Sequence, residues 1–164
     1  MIRDLVEKSR SFRGYDPSYR LTEPDLLELV DCARLTPSAM NRQPLKYYLA
    51  WEQEETAAIQ QVTLPHAGHY PPAFIVICQD IQISASLNAF LKDVGIAAQT
   101  MLLAAAEKGL GGCMVGNFVP ESIRAVSYTH LDVYKRQVLM TARVHPFPFR
   151  TRKLSSHVLT ILGW

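Results

Sequence analysis

Cysteine is scarce and unpatterned in this sequence. Cys32, Cys78 and Cys113 are the three in 164 residues. They are odd in number, far apart and never in CxxC spacing. That argues against a disulfide framework, leaves structural zinc without a ligand set, and points to reduced thiols in a cytoplasmic protein. Long apolar runs are missing too. The longest, residues 94–106, is interrupted by Gln99 and Thr100 and is too short to span a bilayer, so no membrane is expected. The opening MIRDLVEKSR mixes charged with apolar residues, unlike a signal peptide. Several catalytic patterns fail as well. There is no GxGxxG opening a helix after a strand, no Walker lysine–serine pair, no GxSxG elbow and no evident pair of carboxylates for acid–base work. His66 and His69 bracket Gly68 with no carboxylate nearby, so no metal is expected. An enzyme built on this chain needs a cofactor to carry its chemistry.

What is present is an ordinary globular composition, 48% hydrophobic and 20% charged, in a length that suits one domain over 1–164. The net charge of +2 conceals an asymmetry. Residues 1–126 carry 11 basic and 14 acidic side chains, whereas residues 127–164 carry 6 and 1. A basic end suits an anionic ligand, a nucleic acid or simply solvent; no nucleic-acid partner is expected here. Residues 2–9 read as a short helix with Ile2, Leu5 and Val6 on one face. Thr22 is an N-cap candidate, followed by Glu23, Pro24 and Asp25 in the first turn of a second helix that stops before Pro37. A strand at 45–51, a short helix at 52–62, a buried strand at 73–78 and a core helix at 88–109 follow, with Gly109 as C-cap. GGCMVGNF, 111–118, reads as strand entry, and ESIRAV, 121–126, as the first turns of another helix. Helices and strands alternate without tandem hairpins, so an α+β or α/β domain on a small sheet is expected.

Three polar stretches stand out. RSFR, 10–13, puts two guanidiniums and a hydroxyl beside each other, a donor set that suits a phosphate and equally an exposed basic turn. TPSAMNRQP, 36–44, holds Ser38, Asn41, Arg42 and Gln43 between two prolines. Asn and Gln each offer a donor and an acceptor, as a ring with alternating C=O and N–H edges requires; a turn capping two elements uses the same residues. GLGGCMVG, 109–116, lets a backbone approach a flat ligand closely, or lets a helix end pack tightly on a strand.

Taken in order, RSFR, ARLTPSAMNRQPLKYYL, PPAFIVICQD and DVGIAAQTMLLAAAEKGLGGCMVGNF resemble the FMN-dependent nitroreductase family, from about residue 2 to residue 123. The resemblance implies an α+β fold, a nitroreductase-like mixed sheet flanked by helices, with helix 90–108 central to a homodimer. It implies FMN in the dimer interface, NADH or NADPH as reductant, and a nitroaromatic or quinone-type small molecule as electron acceptor. Carried over residue by residue, Arg10, Ser11 and Arg13 match phosphate and ribityl contacts. Pro37, Ser38, Ala39, Asn41 and Gln43 match a loop that lies along the flavin, that of the partner subunit. Val115 and Gly116 match a segment whose backbone amides approach the ring. No side chain is implied to be catalytic in itself. Beyond Ile123 the sequence departs from the family. AVSYTHLDVYKRQ, 125–137, resembles a translated library adapter and is expected to be foreign to the fold, costing the sheet its last strand. FRTRKLSSHVL, 149–159, resembles the family's basic end, where Arg152 matches a phosphate contact. This departure motivates the alternative of a flavin-binding module without turnover, for storage or sensing.

Overall fold

A computed structural model describes residues 1–16, 18–63, 70–116, 118, 122–123 and the backbone of 134–144. Helix α1 runs over Ile2–Lys8 and α2 over Glu23–Arg34, and a 3-10 turn at Ala39–Asn41 leads into strand β1, Leu45–Ala50. Then come α3, Gln53–Val62; β2, Phe74–Asp80; α4, Leu87–Glu107; β3, Leu110–Val115; and β4, Tyr134–Val144. Local chemistry sets the ends. The Asp25 carboxylate accepts from both the backbone N–H (2.9 Å) and the hydroxyl (2.6 Å) of Thr22, closing the start of α2. Ser86 Oγ accepts from the Ala89 N–H at 3.3 Å and starts α4. Gly109, at φ +74°, makes the left-handed reversal that sends the chain from α4 directly into β3.

The sheet order is β1-β2-β4-β3, and each neighbouring pair is antiparallel. The described strands thus form a small antiparallel sheet where a mixed one was expected; a single isolated parallel bridge, Ser11 to Gly112, marks where the chain after α1 runs beside β3. Alternation along β2 puts Ile75 and Ile77 with α2 and α4, and Phe74, Val76 and Cys78 with Ile59 of α3 on the other side. Apolar neighbours on both faces explain why this strand reads as an unbroken apolar run. Helix α4 lays Phe90, Val94, Ala97, Met101 and Ala105 against the face that also buries Leu26 and Leu29 of α2. Each fully buried large side chain in this layer contributes about 1.5–3 kcal/mol. By length and composition α4 could cross a membrane, yet eight of its residues, Asp93 among them, are buried in the domain, as in a core helix.

Burial within one chain is incomplete. Leu91 (55% exposed) and Ile96 (42%) leave an apolar outer side on α4. The expected apolar face of α1 is likewise open, with Ile2 73% and Val6 50% exposed. The expected loss of the sheet's last strand is not seen, because β4 lies between β2 and β3 and satisfies both edges. Its first residues belong to the stretch set apart in the sequence: Tyr134 is opposite Asp80 and Gln137 opposite Cys78. Pairing on two sides makes this strand, which its own charged sequence does not announce. The remainder of 125–137, the basic end with Arg152, and His66 and His69 lie outside the described residues. Of the helix expected at 121–126, residues 122–123 are described and are helical.

Candidate functional site

The RSFR stretch is fastened to β3 through its backbone. Ser11 bridges to Gly112, and the Phe12 N–H donates to the Gly112 carbonyl at 2.9 Å. The Phe12 side chain lies against Gly111, where an added Cβ would come within 3.2 Å of the Phe12 Cβ. Tyr15 Oη lies 3.4 Å from the Phe12 carbonyl and 3.8 Å from Cys113 Sγ. The segment is therefore held while its polar side chains stay outside: Arg10, Ser11 and Arg13 are all exposed. Neither arginine takes part in an ion pair among the described residues. Farther along the same strand, Val115 and Gly116 lie about 10–13 Å from Gly112 at ~3.3 Å per residue. Among the described residues, an added Cβ on Gly116 would meet nothing within 4 Å, which leaves room beside the backbone there.

The 36–44 loop is a separate construction. Met40, Asn41 and Gln43 have φ of 55°, 52° and 50°, three non-glycine residues in the left-handed region within four positions. Each such residue costs roughly 1–2 kcal/mol. Hydrogen bonds hold the shape. Ser38 Oγ accepts from the Gln43 N–H at 2.9 Å, the Ser38 carbonyl accepts from the Asn41 N–H at 2.9 Å, and the Pro44 carbonyl accepts from the Asp80 N–H at 2.8 Å. The Ala39 N–H donates to Asp93 Oδ1 of α4, also at 2.9 Å. Ser38 thus closes the loop on itself, as in a capping turn, while Asn41, Arg42 and Gln43 remain exposed. Beside the loop is a cleft of about 200 Å³ that Pro37, Ser38, Gln43 and Tyr47 help to line. Burial pushes the Tyr47 phenol above its ordinary value of 10.0, favouring further the neutral form that can donate.

The two constructions belong to opposite edges of the sheet: the loop feeds β1 and the arginine stretch lines β3. Three ladder steps, about 14 Å, separate those edges. The donor set suits FMN: two guanidiniums without an ion-pair partner among the described residues for a phosphate, a glycine backbone farther along the same strand toward a ring, and an amide-rich loop for the ring's edge. Two features escaped the sequence reading. Asp93 is a lone carboxyl on the apolar side of α4, visible in sequence only as a charge inside an apolar period. The Phe12–Gly111 contact joins segments a hundred residues apart and leaves no local signal.

A model of the nitroreductase family matches residues 6–82 and 70–142, carrying the likeness past residue 123 and through most of β4. A protein from Methanothermobacter thermautotrophicus, provisionally named NADH dehydrogenase/NAD(P)H nitroreductase, is 26% identical over 117 residues, 70% of this chain and 60% of that protein's length. A protein of the same provisional name from Archaeoglobus fulgidus is 27% identical over 123 residues, 71% of this chain and 68% of that one. Among solved structures, a provisionally named NADH dehydrogenase/NAD(P)H nitroreductase from Parabacteroides distasonis superposes with a TM-score of 0.80 at 20% identity, covering 99% of this chain and 98% of the other. A provisionally named nitroreductase from Desulfovibrio desulfuricans, solved in complex with FMN, gives 0.81 at 18% identity, covering 99% and 96%. At these identities the structures speak for the fold, and the family model speaks for descent: the chain belongs to the nitroreductase family.

Proposed function

We propose that this chain is an FMN-dependent oxidoreductase, active as a homodimer in the cytoplasm, that draws on NADH or NADPH and acts on a nitroaromatic or quinone-type acceptor. The observation that carries the reading is the pair Arg10 and Arg13, exposed, free of carboxylate partners among the described residues and held on β3 by backbone pairing. The backbone between them is fixed at Ser11 and Phe12, so two guanidiniums without a carboxylate partner among the described residues project from one anchored stretch, a donor set that suits an outside anion. When bound, FMN supplies the two-electron chemistry. The residues of this chain bind and orient it. Arg10, Ser11 and Arg13 take the phosphate and ribityl end, the backbone at Val115 and Gly116 lies toward the ring, and Arg152 is assigned to the phosphate from its motif. Pro37, Ser38, Ala39, Asn41 and Gln43 come from the opposite sheet edge, which supports a site completed by a second copy. The open apolar sides of α1 and α4, Ile2, Val6, Leu91 and Ile96, suit the surface such a copy covers.

The test is anaerobic titration of the FMN-reconstituted chain with NADH and with NADPH, followed by a panel of acceptors. Yellow protein that bleaches with a nicotinamide and recovers its colour with an acceptor is the expected result. FMN retained without bleaching would identify a flavin-binding module instead. A chain that stays colourless after reconstitution would overturn the reading.

A further inference from the structure

We propose that Asp93 is the positioning residue of the 38–43 loop: from its fixed place on α4 it holds the loop in the left-handed shape that the FMN site uses. The inference rests on the reading above for its ligand and on geometry for the rest. Asp93 is 3% exposed and sits on the side of α4 that carries Phe90, Val94, Ala97 and Met101. One carboxyl oxygen accepts from the Ala39 N–H at 2.9 Å across 54 positions of sequence. The other is buried without a hydrogen-bond partner among the described residues. A carboxyl buried with an unpaired oxygen weighs against stability, and an apolar residue would pack in its place. The fold therefore has little use for it, whereas the loop does. Ala39 opens the 3-10 turn, and a carboxyl suits the unpaired N–H at that position. Met40, Asn41 and Gln43 follow directly in the left-handed region, which extended or helical alternatives would relieve. Without the bond to Asp93, the start of the turn is free to relax, and the side chains of Asn41 and Gln43 move with it.

Asp93→Ala and Asp93→Asn in the full chain test this. Three quantities are measured: hydrogen exchange of peptides covering 38–43 in the FMN-free chain, the melting temperature, and the FMN dissociation constant from flavin fluorescence. Asp93→Ala is expected to fold and to melt close to wild type. Its loop exchange should quicken and its FMN dissociation constant should rise, each about tenfold, the equivalent of one hydrogen bond to a carboxylate. Asp93→Asn keeps the acceptor oxygen and should restore both. Unchanged loop exchange in Asp93→Ala would overturn the anchor even if FMN binding stands. Faster exchange with unaltered FMN affinity would overturn the positioning role, as would an Asn variant as impaired as the Ala variant. An Asp93→Ala chain that fails to fold would make the carboxyl a support of the core and overturn the proposal. A wild-type chain that binds no FMN would sink the flavin reading, and the positioning role with it, while the exchange comparison still reported separately on the anchor.

Discussion

Gly111 and Gly116 stand five positions apart on the β3 segment and have opposite surroundings. A Cβ on Gly111 would press on the Cβ and Cγ of Phe12 at 3.2 and 3.3 Å, while one on Gly116 would meet nothing among the described residues. Gly111→Ala should therefore push RSFR away from its bridge, lowering stability by about 1–3 kcal/mol. It should weaken FMN binding indirectly. Gly116→Ala should leave the melting temperature alone and weaken FMN binding through the ligand contact itself. Denaturant unfolding and FMN titration of the two variants separate these cases. Arg10→Ala and Arg13→Ala should each weaken FMN binding by about 1.5–3 kcal/mol with the fold intact, since both side chains are exposed. Unchanged retention in both would remove them from the site. Arginines, amides and glycines could be read in sequence because their donor chemistry belongs to the residue type. Asp93 and the Phe12–Gly111 contact could not, because their meaning depends on which distant backbone arrives beside them.

At the scale of elements, the start of α2 ties stability to acid. The Thr22 hydroxyl, and after it the Thr22 N–H, hold the Asp25 carboxyl below its usual 3.8. A lowered folded value means that the ionised form is favoured by folding. This contribution is complete above about pH 4 and is lost as pH falls through the folded value. Thr22→Ala should lower stability at pH 7 by about 0.5–1 kcal/mol, the low end for a cap because the pair is exposed and screened by solvent. In urea unfolding at pH 3 and below, the gap between variant and wild type should narrow; a gap constant over that range would mean the carboxyl plays no part. The same cap shows why α2 was legible, since Thr22, Pro24 and Asp25 are local signals. Strand β2 was legible for another reason, burial on both faces. Strand β4 was not, since its order arises from ladders to β2 and β3 that no local pattern encodes. The left-handed turn at 40–43 was equally hidden, because Met and Gln rarely adopt it and a tertiary contact holds it there.

At the scale of the whole molecule, the open sides of α1 and α4 lead to an expectation about assembly. The chain should sediment as a dimer. Leu91→Glu and Ile96→Glu should shift it toward monomer, and because the loop and the arginines of one site are assigned to different copies, FMN affinity should fall in parallel. Binding to the dimer alone would raise its stability by ~2.7 kcal/mol at a hundredfold excess over the dissociation constant. A monomer whose melting temperature ignores FMN would refute the shared site. The strand order has a further consequence for how the molecule comes into being. Among the described strands β3 has β4 as its ladder partner, with the Ser11 bridge on its other side, and β4 begins only at Tyr134. During synthesis β1 and β2 can zip together early, but β3, to which the arginine stretch is bridged, gains its ladder partner only later. Until the later segment leaves the ribosome and threads between β2 and β3, two apolar edges stand open side by side, ready to join with those of another nascent chain. A ribosome that stalls before residue 134 would hold a chain whose arginine stretch and β3 are already made but whose β2 and β3 lack the strand between them, prone to aggregate through those edges.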